Sequence, residues 1–497
     1  MKKNILALAI VALGLGVASC DSYLDINDNP NSPTEKVLDT SMIFPGAELN
    51  FANQYGCRLR VFGGFYAEYY TQLPGTSNYQ PMAGFTQAPS LSNSVYRALC
   101  INSLNNLNIV RNISKEKQEW GSYLAATVLR VATYQIFIDS YAAIPYFEGM
   151  DINNTAPHYD EGEVVYPELV KELDEALNQT SAGDQVCTNF LFQGETASNW
   201  IKVANALKLR LLMRMSGVAD VKTQLADLVK EGNFPAKDAK WSGFWQNAAG
   251  STNPFYFEEF YPGRQNNVCL NTALMRTFED AEDARLSAWW NPNASGNMQS
   301  WVSSATGITN ASQYYNSAAY SRPKIDYASP VYFITVAETE FFLAEYYQRF
   351  VNNSAEAKAH YEAAVKASFA TAGLSEADAT TVLDAYPYAD ASAIRTIAIQ
   401  KWVHLSGTNT FEGYCELRRL KNPTFGDVQG TDIYDFTSDT YTPSKLPAAT
   451  LYTPIQVNAE IGANKLLQRW PFPSSSASAN ANVPSFAGYT TPIFWAK

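Results

Sequence analysis

The clearest pattern of hydrophobic and polar positions lies between Ile394 and Pro423. Apolar residues recur there at intervals of three and four, as on one face of a helix. They are Ile394, Ile397, Ala398, Trp402 and Leu405, interrupted only by Lys401. The pattern predicts a helix whose apolar face, with Trp402, lies in the protein core.

A turn and a second helix follow this first helix. We expect Gly407 to end the first helix in a left-handed cap, and Thr408 and Asn409 to bond free N–H groups of the next. The second helix runs from about Phe411 to Leu420, and Pro423 follows because proline cannot continue a helix. The stretch therefore predicts a helical hairpin.

Similar spacings occur elsewhere in the chain. The positions Phe411, Cys415 and Pro423 fit the second half of a tetratricopeptide-type hairpin. Related spacings are found at Trp200, Val203, Ala204 and Leu207; at Leu343, Ala344 and Tyr347; at Ala357, Tyr361 and Ala364; and more weakly at Leu169, Leu173 and Ala176. The sequence therefore predicts an all-α dominated fold with tetratricopeptide-like helical hairpins as its scaffold.

Further helical patterns cover residues 36–56, 58–73, 90–113, 116–140 and 163–179, with a loop at 74–89. Two long stretches lack this periodicity. Residues 236–328 are rich in Asn, Ser, Gly, Trp and Tyr, with one helix from Thr272 to about Trp289, and residues 423–497 are rich in Pro, Thr and Ser. Long irregular stretches in a compact domain are usually functional. We interpret residues 36–497 as a single domain, in which a scaffold (36–235 and 329–422) carries an irregular, loop-rich lobe (236–328 and 423–497).

The N-terminus has the pattern of a secretory signal. Lys2 and Lys3 precede an apolar run from Ile5 to Val17 that is too short to span a bilayer. The following Val-Ala-Ser-Cys, ending at Cys20, resembles the lipobox of bacterial lipoproteins, in which cleavage precedes a cysteine that is then acylated. We predict a signal peptide at 1–19, a lipid on Cys20 and a tether at 20–35; the alternative is an ordinary signal with a chance cysteine.

Composition narrows the possible partners. The formal net charge is −12, which argues against nucleic acid and against direct binding to anionic lipid. Contact with the membrane is then expected through the lipid anchor only. The remaining cysteines and the three histidines show no disulfide-framework or metal-ligand spacing, so the sequence predicts no metal and no cofactor.

Three stretches carry a resemblance to a known family. They are Ala337 to Glu345 (AETEFFLAE); Gln400 to Val403 with Glu412 to Tyr414 and Arg418-Arg419; and Arg469 to Pro473 (RWPFP). Together with the lipobox, and in this order, they resemble the SusD/RagB-like outer-membrane nutrient-binding lipoproteins. The start Cys-Asp-Ser-Tyr-Leu-Asp-Ile-Asn is closest to a divergent branch of that family. Serines at 474–476 stand where the family often has a glutamate, so the details of that loop depart from the pattern.

The resemblance implies a cell-surface lipoprotein of the outer membrane. Members of the family bind a nutrient, usually an oligosaccharide and in some cases a peptide. They form a lid over a SusC-like TonB-dependent transporter, which is the partner that the resemblance implies.

The sequence shows no catalytic constellation. No G-x-S-x-G, H-E-x-x-H or P-loop motif is present. The carboxylates of Glu338 and Glu345, seven residues apart on an apolar helix, are interpreted as partners of a cation such as Arg395 or Arg419. The chain is therefore expected not to be an enzyme. A helical-repeat assembly scaffold without a small ligand, and a surface glycan-degrading enzyme, are the alternatives.

Candidate ligand contacts come from loops with aromatic and amide side chains. Aromatic faces stack on the C–H faces of sugar rings, and amides bond their hydroxyls. The candidates are Asn78, Tyr79, Trp289, Trp290, Asn291, Trp301, Tyr314 and Tyr315. For each ring taken singly, packing within the lobe's own core is the more common role. We expect the ligand to contact the lobe and the early loop and not the repeat helices, whose faces are used in packing.

Overall fold

A computed structural model describes residues 39–151, 153–194, 196–264, 266–305 and 317–497. The predicted signal peptide, the lipid site at Cys20 and the tether lie outside the described residues, as do the candidates Tyr314 and Tyr315.

Helices form most of the described regular structure. In chain order they are α1 Thr40–Gly56, α2 Arg58–Tyr66, α3 Gln80–Ala83, α4 Asn93–Ala98, α5 Asn106–Lys117, α6 Trp120–Tyr141, α7 Gly162–Gln179, α8 Ser198–Met215, α9 Lys222–Glu231, α10 Pro254–Glu259, α11 Thr272–Asp280, α12 Arg285–Trp289, α13 Val336–Tyr346, α14 Ser354–Thr371, α15 Thr380–Ala385, α16 Ala393–Gly407, α17 Thr410–Leu420, α18 Gly430–Ile433 and α19 Ser474–Ala479. Short π-helical turns at Leu99–Asn105 and Tyr347–Val351 extend α4 and α13.

Strands are short and pair two by two. They are β1 Tyr70–Gln72, β2 Ala143–Ile144, β3 Asp160–Glu161, β4 Ala239–Trp241, β5 Val268–Leu270, β6 Trp290–Asn291, β7 Arg322–Pro323, β8 Val331–Ile334, β9 Thr424–Gln429, β10 Tyr434–Asp435, β11 Thr440–Tyr441 and β12 Thr450–Thr453. The pairs β1–β5, β2–β3, β4–β8, β6–β7 and β10–β11 are antiparallel, and β9–β12 is parallel. The all-α dominated fold is confirmed.

Antiparallel helix pairs form the scaffold, as the repeat spacing predicts. Contacts join α5 to α6, α6 to α7, α7 to α8, α13 to α14, and α16 to α17. The small and aromatic repeat positions are buried, with Trp200, Ala204, Ala357 and Tyr361 each at 0% exposure. These positions let the paired helices approach closely.

The hairpin α16–α17 is confirmed, and its first helix is buried on every side. All residues from Thr396 to Ser406 are buried, including the predicted core residue Trp402. Phe341 of α13, also predicted in the core, is fully buried. The side chain of Lys401 is buried too: its Nζ lies 2.8 Å from Glu416 Oε2 and 3.0 Å from the centre of the Phe342 ring. Its charge is thereby paired inside the core.

Gly407 has a different role from the one predicted. It is the last residue of α16, and its φ is not positive, so it forms no left-handed cap. A Cβ atom at this position would lie 2.2 Å from the Trp289 ring. The glycine therefore allows Trp289 of the lobe to pack directly against the scaffold. Asn409, in contrast, caps α17 as predicted, because its side chain accepts from the N–H of Glu412.

Two predicted helices are interrupted. The pattern over 58–73 becomes α2 and β1, because Glu68 adopts a left-handed φ of 55° after Tyr66 and the chain then pairs with β5. The predicted helix from Thr272 to Trp289 is divided into α11 and α12. Glu282 has φ 47° between them, and the Asp283 carboxylate accepts from the N–H of Arg285 at the start of α12.

Contacts of very long sequence range close the scaffold. Helix α2 packs against α17. Trp402 Nε1 donates to the carbonyl of Ala67, and Thr410 Oγ1 donates to that of Arg60. The hairpin α16–α17 therefore completes the core of the N-terminal helices.

A set of paired side chains, which we call the buried charge network, joins five helices and the turn after α13. Its carboxylates are Asp139, Glu338, Glu345, Glu412 and Glu416, and its cations are Arg210, Arg214, Arg349, Lys401 and Arg419. Arg214 is central, since its guanidinium lies 2.6 Å from Asp139, 2.6 Å from Glu412 and 3.0 Å from Glu416. The network is balanced, with five charges of each sign.

Glu338 and Glu345 each pair with an arginine of another helix, as predicted. Glu345 pairs with Arg419, at 2.5 Å, as one of the two suggested partners. Glu338 instead pairs with Arg210 of α8, at 2.7 Å, while Arg395 is exposed. Burial alone would raise the pKa of Glu345, but the Arg419 and Arg349 guanidinium groups outweigh it and lower that pKa. These carboxylates are therefore structural.

Aromatic rings build the core of the lobe. Trp301 is 2% exposed, and its ring centre lies 5.4, 5.3 and 5.0 Å from those of Tyr320, Tyr434 and Tyr441. The last two residues lie in β10 and β11, so both halves of the lobe contribute to this cluster. Among the described helices, none is long and apolar enough to cross a membrane.

Candidate functional site

Three of the predicted contact residues are buried. Tyr79 and Trp290 are each 2% exposed, as is Trp301. The Trp290 ring lies edge-on to Tyr70, and the Tyr79 hydroxyl donates to Glu259 Oε1 over 2.5 Å. Their faces are covered in this conformation, because the lobe uses large rings to build a core where it has little regular structure. Buried in this way, the three rings present no stacking surface to a ligand.

The other described candidates are more accessible. Asn78 and Asn291 are exposed, and Trp289 is half-buried against Gly407, close to Phe278 and Arg285. Trp289 therefore joins the lobe to the scaffold. In the described part of the chain, the Asn291 side chain has no hydrogen-bond partner, so its amide is free to bond a ligand.

A cavity of about 350 Å³ opens beside Asn291. We call it the Asn291 cavity. Its lining residues are Phe260, Asn291, Pro292, Asn293, Ala294, Ala318, Tyr320 and Arg322. Strand pairing explains part of this arrangement, because Asn291 of β6 lies opposite Arg322 of β7. The cavity thus combines amide, guanidinium and aromatic groups, which suits a polar ligand with apolar ring faces.

Half-buried aromatic residues lie next to Phe260, which lines the cavity. Helix α10 and the turn after it carry Tyr256, Phe257, Phe260 and Tyr261. Tyr256 and Phe260 are nearly parallel, with ring centres 6.4 Å apart. Asn253 caps α10 by accepting from two backbone N–H groups, which fixes the direction of the helix. A row of partly exposed rings beside a polar cavity is a feature of saccharide sites.

The early loop is bonded to this helix. Burial raises the pKa of Glu259, although the bonds from Tyr79 and Asn267 act in the opposite direction. The adjacent Glu258 pairs with Arg58 at 2.9 Å. Through Tyr79 and Glu259, the loop that carries Asn78 is held next to the residue that precedes Phe260. The structure thus brings the early loop and the lobe together at one border of the cavity.

Sequence reasoning missed Phe260, Asn293, Tyr320 and Arg322. Asn293 was hard to find because its amide oxygen accepts from two N–H groups of its own turn, which is a structural role. Phe260 had a signal, since it stands in the run Tyr-Phe-Glu-Glu-Phe-Tyr at 256–261, which has four aromatic residues in six positions. Arg322 could not be found from the sequence, because its place beside Asn291 depends on the register of the β6–β7 pair.

The described residues offer no group of three His, Cys, Asp or Glu side chains that could hold a metal ion. Among the acidic residues considered above, Glu258, Glu338 and Glu345 are paired with arginines, and Glu259 is bonded to Tyr79 and Asn267. The arrangement at the Asn291 cavity is suited to binding a ligand by stacking and hydrogen bonds.

Solved structures share this architecture. A SusD homologue from Bacteroides uniformis is 19% identical and superposes with a TM-score of 0.71, over 93% of this chain and 100% of that one. A SusD-like protein from Bacteroides thetaiotaomicron is 19% identical and superposes with a TM-score of 0.70, over 92% of this chain and 98% of that one. A chitin-binding SusD homologue from Flavobacterium johnsoniae is 18% identical, with a TM-score of 0.68 over 92% of this chain and 96% of that one. At identities this low, the structural similarity shows a shared fold and nothing further.

No curated protein matches the chain. The model of a SusD-like protein family, described as "Starch-binding associating with outer membrane", matches residues 30–447. That range covers most of the chain and includes the repeat helices, α10 and the Asn291 cavity. The protein is therefore a member of the SusD-like family.

Proposed function

We propose that this protein captures an oligosaccharide in the Asn291 cavity and delivers it to a TonB-dependent outer-membrane transporter. The observation that carries the proposal is the cavity itself, where an unpartnered amide and a half-buried Phe260 lie beside a row of aromatic rings. Amides and rings in this combination recognise the hydroxyls and C–H faces of sugars. The family description, starch-binding, supports the same class of ligand.

The membrane attachment and the transporter rest on the sequence. The lipobox at Cys20 and the family's association with the outer membrane support a lipid-anchored protein at the cell surface. A Cys20→Ser variant should leave the membrane fraction as a folded protein. A variant that still sediments with the outer membrane would contradict the anchor.

Calorimetric titration of maltoheptaose, chitohexaose and an unrelated heptapeptide tests the ligand class. We expect one of the saccharides to bind and Phe260→Ala to weaken it about five- to 150-fold, the loss typical of a buried aromatic contact. Phe147→Ala is the matched control, because Phe147 is 60% exposed and lies outside the cavity lining.

Asn291→Ala should weaken the same saccharide, whereas Asn102→Ala, at another exposed asparagine, should not. Binding that survives both Phe260→Ala and Asn291→Ala would place the ligand elsewhere. Binding of the peptide alone would replace the saccharide with a peptide ligand.

A further inference from the structure

A second and larger cavity lies where the end of α17 meets the C-terminal part of the chain. We call it the C-terminal cavity; it has a volume of about 500 Å³ and shares no lining residue with the Asn291 cavity. Three of its lining side chains are cationic and none is acidic. These cations are Arg418, Lys421 and Lys465. This concentration of positive charge stands out in a chain whose net charge is −12.

Arg418 is a buried cation whose hydrogen-bond acceptors are all uncharged. It is 1% exposed, and its guanidinium donates to the carbonyls of Gln468, at 2.6 Å, and Asp139, at 2.8 Å. It also donates to the carbonyl of Tyr414 and the sulfur of Cys415, and its guanidinium lies 3.9 Å from the centre of the Tyr414 ring and 4.9 Å from that of Trp495. In the described structure it forms no salt bridge, whereas buried charges are normally paired with an opposite charge.

The neighbouring charges do not compensate Arg418. Asp139 is the nearest acidic residue in its contacts, but that carboxylate is bonded to Arg214, Tyr166 and Trp495. The buried charge network already contains equal numbers of carboxylates and cations without Arg418. Arg418 therefore adds an excess positive charge at the wall of the cavity.

The two lysines extend this charge to the cavity mouth. Lys421 and Lys465 are exposed, and neither forms an ion pair with any described residue. Lys421 ends α17 in a left-handed conformation, with φ 54°, and its backbone N–H donates to Leu417. The ammonium groups are thus available to an anion that enters the cavity.

The remaining walls suit a sugar ring. Phe425, Leu451, Leu466 and Pro492 provide apolar surface, and Thr424, Asn464, Gln468 and Thr490 provide polar groups. The side-chain oxygen of Gln468 is buried and has no hydrogen-bond partner among the described residues, so it can accept a bond from a ligand hydroxyl. Apolar walls with a few polar groups are typical of small-ligand cavities of this volume.

We propose that the C-terminal cavity binds a carboxylate-bearing saccharide, with the carboxylate held by Lys421 and Lys465 in the field of Arg418. Charge-assisted hydrogen bonds to a carboxylate are stronger than bonds to a neutral hydroxyl. The site is separate from the Asn291 cavity and does not depend on which ligand that cavity takes.

Calorimetry on the purified full-length chain tests the proposal with glucuronate and galacturonate as probes. Glucose is the uncharged match, and inorganic phosphate is the test of a general anion site. We expect at least one uronate to bind about tenfold or more tightly than glucose or phosphate. The double variant Lys421→Gln/Lys465→Gln should weaken that uronate about tenfold or more, since it removes both ammonium groups but keeps their length.

Lys222→Gln/Lys230→Gln is the matched control, because it removes the same charge from two exposed positions on α9. Uronate binding should be unchanged in this control and in Asn291→Ala, which separates this site from the proposed oligosaccharide site. The proposal is overturned if neither uronate binds, if the Lys421/Lys465 variant binds as tightly as the original chain, or if phosphate binds as tightly as the uronate.

Discussion

The scaffold and the lobe are stabilised by different means. The scaffold combines helix packing with the buried charge network, in which Arg214 alone contacts three carboxylates. The lobe has short strands and a core of rings around Trp301. Hydrophobic contacts are non-directional, whereas a buried charge needs a partner at a fixed position. We therefore expect the scaffold to be more sensitive to single charge changes than the lobe.

Removing a central charge should have the largest effect. Arg214→Met leaves Asp139, Glu412 and Glu416 without their shared cation, and breaking a buried pair in this way costs about 3–5 kcal/mol. Urea unfolding followed by circular dichroism measures the free energy of unfolding. Arg349→Met is the control in the same network, because this side chain is 30% exposed and should cost less than about 1 kcal/mol. Equal losses in the two variants would refute the difference between buried and peripheral members.

Acid should destabilise the scaffold through His404. Burial, with Arg285 and Lys401 nearby, lowers the pKa of His404 from 6.5 to about 3. Because the folded pKa lies below the unfolded one, the stabilisation is present above pH 6.5 and is lost as the pH falls towards 3. The slope is at most about 1.4 kcal/mol per pH unit.

His404→Gln removes this proton uptake. In urea unfolding at about pH 7 and about pH 5, the variant should lose less stability on acidification than the original chain. Both chains keep the carboxylates of the buried charge network, so the comparison isolates the histidine. Identical losses in the two proteins would show that another group causes the acid sensitivity.

A change at the junction between scaffold and lobe should have a smaller effect than the loss of Arg214. Gly407→Ala places a Cβ against the Trp289 ring and should cost about 1–3 kcal/mol, as overpacking does. The cost should shrink in a Trp289→Ala background, where the ring is absent, so the two changes should be coupled in a double-mutant cycle. Gly46→Ala is the control, because its added Cβ would meet no atom within 4 Å. Additive costs of Gly407→Ala and Trp289→Ala would mean that the junction lies elsewhere.

Local patterns predicted the scaffold well because helix periodicity is a local property. The hairpin α16–α17, the buried Trp402 and Phe341 and the cap at Asn409 all follow from spacing and cap chemistry. Local patterns did not predict which residues distant in sequence would pair. Glu338 was assigned a cation in the C-terminal part of the chain, whereas its partner Arg210 lies 128 residues before it.

Loop composition predicted the region of the candidate site better than its residues. Aromatic loops can form a surface or a core, and the choice depends on which rings meet across the chain. Trp301 contacts Tyr434 and Tyr441 from the far end of the sequence, and Trp290 packs on Tyr70. Asn291 was predicted and lines the cavity, whereas Phe260 and Arg322 depended on how α10 and the β6–β7 pair are placed.

The contact between α2 and α17 has a consequence for folding kinetics. Trp402 bonds to Ala67 across 335 residues, and Thr410 to Arg60 across 350. Bringing such distant segments together requires loop closure before the contacts form, which slows folding. During synthesis α2 is made long before its partner, so its apolar residues stay uncovered until α17 follows. We therefore expect slow refolding, and a need for protection against aggregation while the chain is incomplete.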